Sequence, residues 1–145
     1  MRAAVICLVN RERTARRLPP LSQSRGLDHS AEQWTRTMVR DDVFSHGTSF
    51  ATRITNAGVS WSDAGENIAT GFATPRAVVA AWMASAGHCR NILDPNFRLT
   101  GVGVDPRPVR GWASAAATWT EDFALQAGKR PPSRNSGPAN GCPYG

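Results

Sequence analysis

The sequence predicts a layered α+β domain, helices first and a small sheet late, and three observations carry the prediction. Leu27, Ala31, Trp34 and Met38 recur at steps of four, three and four, which puts them on one face of a helix. Thr100 to Asp105 and Trp112 to Phe123 follow the helical segments as strand-like runs, separated by Pro106, Pro108 and Gly111, so the two pair as a hairpin. A chain of 145 residues fills one core and is too short for two. Its 41% hydrophobic and 19% charged residues place it among globular chains and against wholesale disorder. Residues 1–127 read as the domain. Residues 128–145, rich in Pro, Ser, Asn and Gly, read as a flexible basic tail.

The elements follow in order. Val5, Leu8 and Val9 have helical spacing, giving a first helix over 3–16 that ends near Pro19-Pro20. The second helix carries the Leu27 to Met38 face, with Glu32, Arg36 and Arg40 lying elsewhere and His29, beside Asp28, exposed. Residues 41–73 read as loop, with Gly47, Gly58, Gly65 and Gly71 among scattered Ser, Thr and Asn. Thr74-Pro75 is an N-cap with proline at the first helical position, and it opens a third helix that buries Val78, Val79, Trp82 and Met83. Gly87 breaks that helix, and a short one over His88 to Leu93 stops at Asp94-Pro95. Five Trp in so short a chain point to a core or groove built on large rings.

Charge is unevenly placed. The net +6 divides into +5 over residues 1–40, −2 over 41–128 and +3 over 129–145. Basic ends around a mildly acidic middle suit either a solvated arginine face or an anionic surface such as a cell-wall polymer or lipid headgroups. No basic stripe interleaved with aromatics is present, so no nucleic-acid partner is expected. Three cysteines, Cys7, Cys89 and Cys142, allow at most one internal bridge, and no CxxC spacing supports a zinc knuckle. The apolar run Ala3 to Val9 leads into Asn10-Arg11-Glu12-Arg13 rather than a small-residue cleavage site, so no signal peptide is visible. No stretch approaches the length of a membrane span.

The residues that carry chemistry are few. His46 follows Ser45, His88 follows Gly87, and Glu66 lies in Gly65-Glu66-Asn67-Ile68-Ala69, all among small residues. Two imidazoles and a carboxylate are the ligand set of an open zinc site, while spacings of 20 and 22 positions equally suit separate polar residues. Ser45 beside His46 and Ser85 near His88 suggest a nucleophile and base, but no GxSxG elbow is present. Cys89 directly follows His88, so on a helix the two side chains diverge.

A resemblance then links these segments. Leu8-Val9-Asn10 with Arg13, Phe44-Ser45-His46, Arg53, Ala57-Gly58 and Gly65-Glu66-Asn67-Ile68-Ala69 occur in the order of a bacterial CAP domain. Trp82-Met83-Ala84-Ser85, Gly87-His88, Asn91-Ile92-Leu93, Gly101-Val102-Gly103-Val104 and Trp119-Thr120-Glu121-Asp122-Phe123 continue the series. The match spans about residues 3–125 and resembles the fold of cysteine-rich secretory proteins, antigen 5 and plant pathogenesis-related proteins of group one. It implies a three-layer α-β-α sandwich with a small central antiparallel sheet and a cleft faced by two His and two Glu. By position His46, Glu66 and His88 are three of those four, and Ser85 stands where eukaryotic members have the other Glu. Glu121 stands where Gln is more usual and is not counted as the missing acid.

What the resemblance implies for function stays open between two readings. In one, the chain is a non-enzymatic, extracellular or envelope-associated binding module for a lipid, sterol or anionic cell-wall polymer, a monomer that requires no cofactor. Its His-Glu-His set is then a neutral network that fixes the cleft, with Asn67 and Asn91 as loop and cap hydrogen-bonders and Arg13 and Arg53 as packing and ion-pair residues. In the other, His46 and His88 hold zinc or another divalent cation and Glu66 is ligand or base of a hydrolase or protease. The resemblance also implies a bridge between Cys89 and Cys7, with Cys142 left as a tail thiol, and a secretion signal upstream of this chain.

Overall fold

The computed structural model describes residues 1–129. The chain runs α1 (Arg2–Thr14), β1 (Ser22–Gln23), α2 (Arg25–Asp41), α3 (Phe50–Asn56), β2 (Trp61–Phe72), α4 (Pro75–Met83), α5 (Ala86–Ile92), β3 (Leu99–Asp105) and β4 (Ala117–Gln126). The strands form one sheet in the order β1-β3-β4-β2. β4 runs antiparallel to both long neighbours, while two-residue β1 lies parallel to β3. No helix among the described residues is long and apolar enough to cross a membrane.

Alternation along the strands divides the domain into three layers, as expected. Glu66, Ile68, Thr120, Asp122, Gly101 and Gly103 share the face covered by α2 and α3. Ala69, Trp119, Phe123 and Val102 share the opposite face, where Val5 and Val9 of α1, Val78, Val79 and Trp82 of α4 and Ile92 of α5 complete the main core. α2 is capped by Ser24, whose Oγ accepts from the Leu27 amide at 3.3 Å, and it buries Leu27, Ala31 and Met38. The Gly-Val-Gly of β3 explains how closely it sits. A Cβ at Gly101 would collide with the backbone of Leu27 and Asp28, and one at Gly103 with that of Ala31 and Glu32. Helix backbone therefore rests directly on strand backbone.

Several expectations are corrected. Residues 41–73 are not loop throughout: they hold α3 and β2, and β2 is a long strand paired with β4 along its length. β4 starts at Ala117 rather than Trp112, because Gly111 and Ala116 have positive φ and turn the chain before it enters the sheet. Gly87 lies inside α5; the break between α4 and α5 falls at Ala84-Ser85. Arg13 makes no ion pair among the described residues. Fully buried, it donates to the carbonyls of Pro19, Ile92, Asp94 and Phe97 at 2.8–3.2 Å and so ties α1 to the segment after α5. The Cys7–Cys89 bridge is not formed: Cys7 is a free thiol on the exposed face of α1, whereas Cys89 is fully buried and is not a free thiol. Cys142 and the tail from residue 130 on lie outside the described residues.

Candidate functional site

Glu66 is the centre of the site. It projects from the middle of β2 toward the α2/α3 layer, and its side chain is fully buried. Arg53, in the last turn of α3, grips it end-on: Nη1 donates to Oε2 at 2.7 Å and Nη2 to Oε1 at 3.0 Å. Ser49 caps α3 by accepting from the Thr52 amide, which fixes the turn that carries Arg53. The third partner is His46, whose Nδ1 lies 2.8 Å from Glu66 Oε1. An ionised carboxylate only accepts, so Nδ1 carries the proton and Nε2 is left for the cleft. Burial pushes the Glu66 carboxyl up, but the hydrogen bonds from His46 and Arg53 outweigh it and hold the pKa below the ordinary value.

The His46 loop is held from beneath by Trp34. α2 ends where Asp42 takes the left-handed conformation, and the chain then turns back so that Trp34 Nε1 donates to Ser45 O at 3.0 Å. Gly47, at φ 69°, passes so close to the Trp34 ring that a Cβ would approach it to 2.8 Å. The Arg53 guanidinium sits 4.2 Å over the same ring and also donates to His46 O at 2.8 Å. Trp34, read from the sequence as a core residue, is thus the platform on which the Arg53–Glu66–His46 network rests.

His88 reaches the site from α5 on the other side of β2. Asn91 Nδ2 donates to Glu66 O at 3.1 Å and to Asn67 Oδ1 at 2.9 Å, and Asn67 Nδ2 donates to His88 O at 3.1 Å. The two asparagines therefore stitch a helix to a strand instead of serving loops and caps. His88 is half-buried; burial, and then the charge of His46, lower its pKa, so it is neutral at neutral pH. It lines a cavity of about 320 Å³ whose other walls include Phe44, Phe72, Trp82, Ser85 and Trp112. Phe44 and Trp112 meet at 5.5 Å in a tilted pair, and Trp112 is 63% exposed.

His46, Glu66 and His88 are brought to one region, but not as three ligands around one point. Among the described residues no group of three or more His, Cys, Asp or Glu is arranged to hold a metal ion. Both Glu66 oxygens are engaged, which fits Glu66 as the residue that orients His46 and leaves two imidazoles as the donors for a cation. Ser45 does not act on His46; its Oγ instead accepts from the Gly47 amide at 3.1 Å. Ser85 lines the cavity beside His88. Glu121 lies on the opposite sheet face from Glu66 and cannot supply a second cleft carboxylate.

Asp122 was missed. It is the cross-strand partner of Glu66, fully buried, and its carboxyl is in hydrogen-bonding contact with the Glu66 carboxylate and with Ser30. Burial and then the adjacent Glu66 charge hold its carboxyl well above the ordinary value, so Asp122 keeps its proton beside an ionised Glu66. The signal was present in Trp119-Thr120-Glu121-Asp122-Phe123, where two adjacent acids on a strand must point to opposite faces.

Comparison with known proteins adds relatives to this geometry. The model of the cysteine-rich secretory protein family, CAP, matches residues 7–123. The uncharacterized protein YkwD of Bacillus subtilis is 38% identical over 124 residues, covering 82% of this chain and 45% of its own length. An extracellular protein containing a SCP domain from Bacillus anthracis superposes with a TM-score of 0.74 at 26% identity, over 86% of this chain and 40% of that one. An outer surface protein of Borrelia burgdorferi shares the fold, with a TM-score of 0.73 at 18% identity over 84% of this chain and 90% of that one. The chain thus spans less than half the length of the two Bacillus relatives.

Proposed function

Because the chain belongs to the cysteine-rich secretory protein (CAP) family, we propose that it acts as a non-enzymatic binding module outside the cell or at its envelope. The observation that carries this reading is the state of Glu66. Its carboxylate is held end-on by Arg53 and bonded by His46, so both oxygens already accept hydrogen bonds and Glu66 serves as a fixed structural anion. Beside it lies an apolar cavity with a neutral imidazole and a serine hydroxyl at its polar end, the form of a small-ligand site. An extracellular location of the Bacillus anthracis protein and an outer-surface location of the Borrelia burgdorferi protein support this placement. The occupant that suits the walls is the apolar part of a lipid or sterol.

Trp82 and Trp112 line the cavity and report on it. Titration with a fluorescent sterol and with a single-chain fatty acid is expected to quench tryptophan emission saturably, and Ala81→Trp, which fills the cavity, is expected to abolish the effect. Unsaturable quenching, or saturable quenching retained in Ala81→Trp, would remove the cavity as the site.

A second reading is favoured by one feature: a carboxylate holding Nδ1 of a histidine is the arrangement that presents Nε2 to a metal. His46 and His88 would then hold a divalent cation that activates water for hydrolysis. Calorimetric zinc titration of the chain and of His46→Ala and His88→Ala separates the two readings. Binding lost in both variants supports the metal site, and no binding leaves the network structural.

A further inference from the structure

Away from this cleft, α2 and the loop between β3 and β4 enclose a groove of about 840 Å³ whose walls carry Arg36, Arg40, Arg107 and Arg110, with Asp105 as the sole acid of its lining among the described residues and Pro108 beside it. We propose that this groove binds a phosphodiester polymer of the cell wall, each arginine meeting successive phosphates of one extended chain. The site is separate from the apolar cavity beside His88 and does not depend on what occupies it.

The argument rests on how the guanidiniums are presented. Arg40, Arg107 and Arg110 each turn the same edge, Nε and Nη2, onto one carboxylate: Asp41 at 2.7 and 3.0 Å, Asp105 at 3.0 and 2.8 Å, Asp42 at 3.1 and 3.2 Å. Arg36 uses Nη2 alone, on Glu32 at 3.2 Å. A guanidinium has five N–H donors, so each side-on pair engages two and leaves the Nη1 group without a partner among the described residues. The carboxylates hold the cationic heads in place without covering them, and all four arginine side chains remain between 67% and 81% exposed. Prior orientation reduces the side-chain entropy lost on binding. Exposed pairs of this kind contribute little by themselves, and an anion that accepts from the remaining N–H donors does not have to break them.

Charge and shape then select the ligand. Each guanidinium is matched by one carboxylate, and three of these, Asp41, Asp42 and Glu32, lie outside the lining, so the groove presents the Nη1 edges of its arginines, unpartnered among the described residues, rather than a large excess charge. Cations on two opposed walls suit a chain lying between them, since each further phosphate binds intramolecularly once the first is held. A flat bilayer meets only the rim of such a concavity. No aromatic side chain among the described residues lines the groove to stack a base, which argues against nucleic acid.

The test is fluorescence anisotropy of the whole chain with an end-labelled oligo(glycerol phosphate). Binding that weakens steeply with salt is expected, with affinity reduced roughly tenfold in Arg107→Gln/Arg110→Gln. The control Arg11→Gln/Arg76→Gln removes the same charge from exposed positions elsewhere and is expected to bind as the parent does. All these arginines are on the surface, so equal thermal midpoints confirm that both variants are folded. Ala81→Trp is expected to leave oligomer binding unchanged, which keeps this result independent of the cavity. The proposal is overturned by absent binding at low salt, by equal loss in the two double variants, or by stronger retention on phosphatidylglycerol vesicles or single-stranded DNA than on the oligomer.

Discussion

Replacing Glu121 by Gln isolates a buried acid on the sheet face opposite the cleft. Glu121 is fully buried in β4; its Oε1 accepts from Thr100 Oγ1 at 2.9 Å and its Oε2 has no partner among the described residues. Burial, opposed only in part by that hydrogen bond and by the charge of Arg13, pushes its pKa up to about 8. The native state therefore holds a proton that the unfolded chain releases near its ordinary value, about 4.5. Below that value both states are protonated and the acid adds no pH dependence. As pH rises toward about 8 the unfolded state binds fewer protons than the native one, so stability falls, by at most about 5 kcal/mol at about 1.4 kcal/mol per pH unit. Above about 8 the native carboxyl ionises too and the loss levels off. Gln removes the titration and adds a constant offset of about 1–3 kcal/mol for any amide hydrogen left unpaired. Urea unfolding of both proteins from about pH 5 to about pH 9 measures this, because the difference between them cancels every other titrating group. The variant should gain on the parent up to about pH 8 and hold that gain beyond it. A difference that stays flat would mean that Glu121 is ionised in the fold, paired with Arg13, and that the reasoning from burial is wrong.

Four further outcomes rest on the packing. Arg53→Met should destabilise the chain by about 3–5 kcal/mol in denaturant, since it leaves Glu66 buried without its cation; equal stability would mean that Glu66 finds another counter-charge. The Glu66 carboxyl is held low, so its ion pair supports the fold above its unfolded pKa and that support is lost as pH falls through the folded one; acid unfolding of the parent should flatten in Glu66→Gln. Gly103→Ala should lower the thermal midpoint by an amount corresponding to roughly 1–3 kcal/mol or more, because the new methyl meets the α2 backbone at Ala31 and Glu32, and an unchanged midpoint would mean that α2 can lift from β3. Alkylation of the native protein should modify Cys7 and spare Cys89, read by mass spectrometry of the two peptides.

How much of this was legible in the sequence depended on whether a local pattern carried the signal. α2, α4 and β3 were legible because each carries a local pattern: the apolar face Leu27, Ala31, Trp34 and Met38, the Thr74-Pro75 start with Val78, Val79 and Trp82, and the strand-like run Thr100 to Asp105. β2 was not, because Trp61–Phe72 is written in turn-forming residues, Ser62, Asp63, Gly65, Asn67 and Gly71. Those residues are accommodated by tertiary contacts that no window of sequence shows. Gly65 leaves room for Asn91 and the Phe97 ring, and Asn67 answers His88 O across the helix boundary. α3 escaped notice for a different reason, since seven residues with Thr52, Ile54 and Thr55 give too short and too β-branched a run to read as helix.

The site divides the same way. His46, Glu66 and His88 could be named as a set only by resemblance, because their separation along the chain carries no geometry of its own. Their roles came from partners that looked ordinary in the sequence. Trp34 fits a helix's apolar stripe, Arg53 sits among loop-like residues, and Asp122 follows an acid of opposite orientation, yet these three decide that Glu66 is a charged carboxylate fixed in place. A free Glu beside two histidines reads as a metal or acid-base site. The same Glu clamped by arginine, with a protonated Asp behind it, is a fixed structural anion. The chemistry of this site is therefore set by residues that do not belong to its recognisable motif, and Arg53→Met is the substitution that would expose the difference: it removes the cation from Glu66 and one tether of the His46 loop while changing neither histidine.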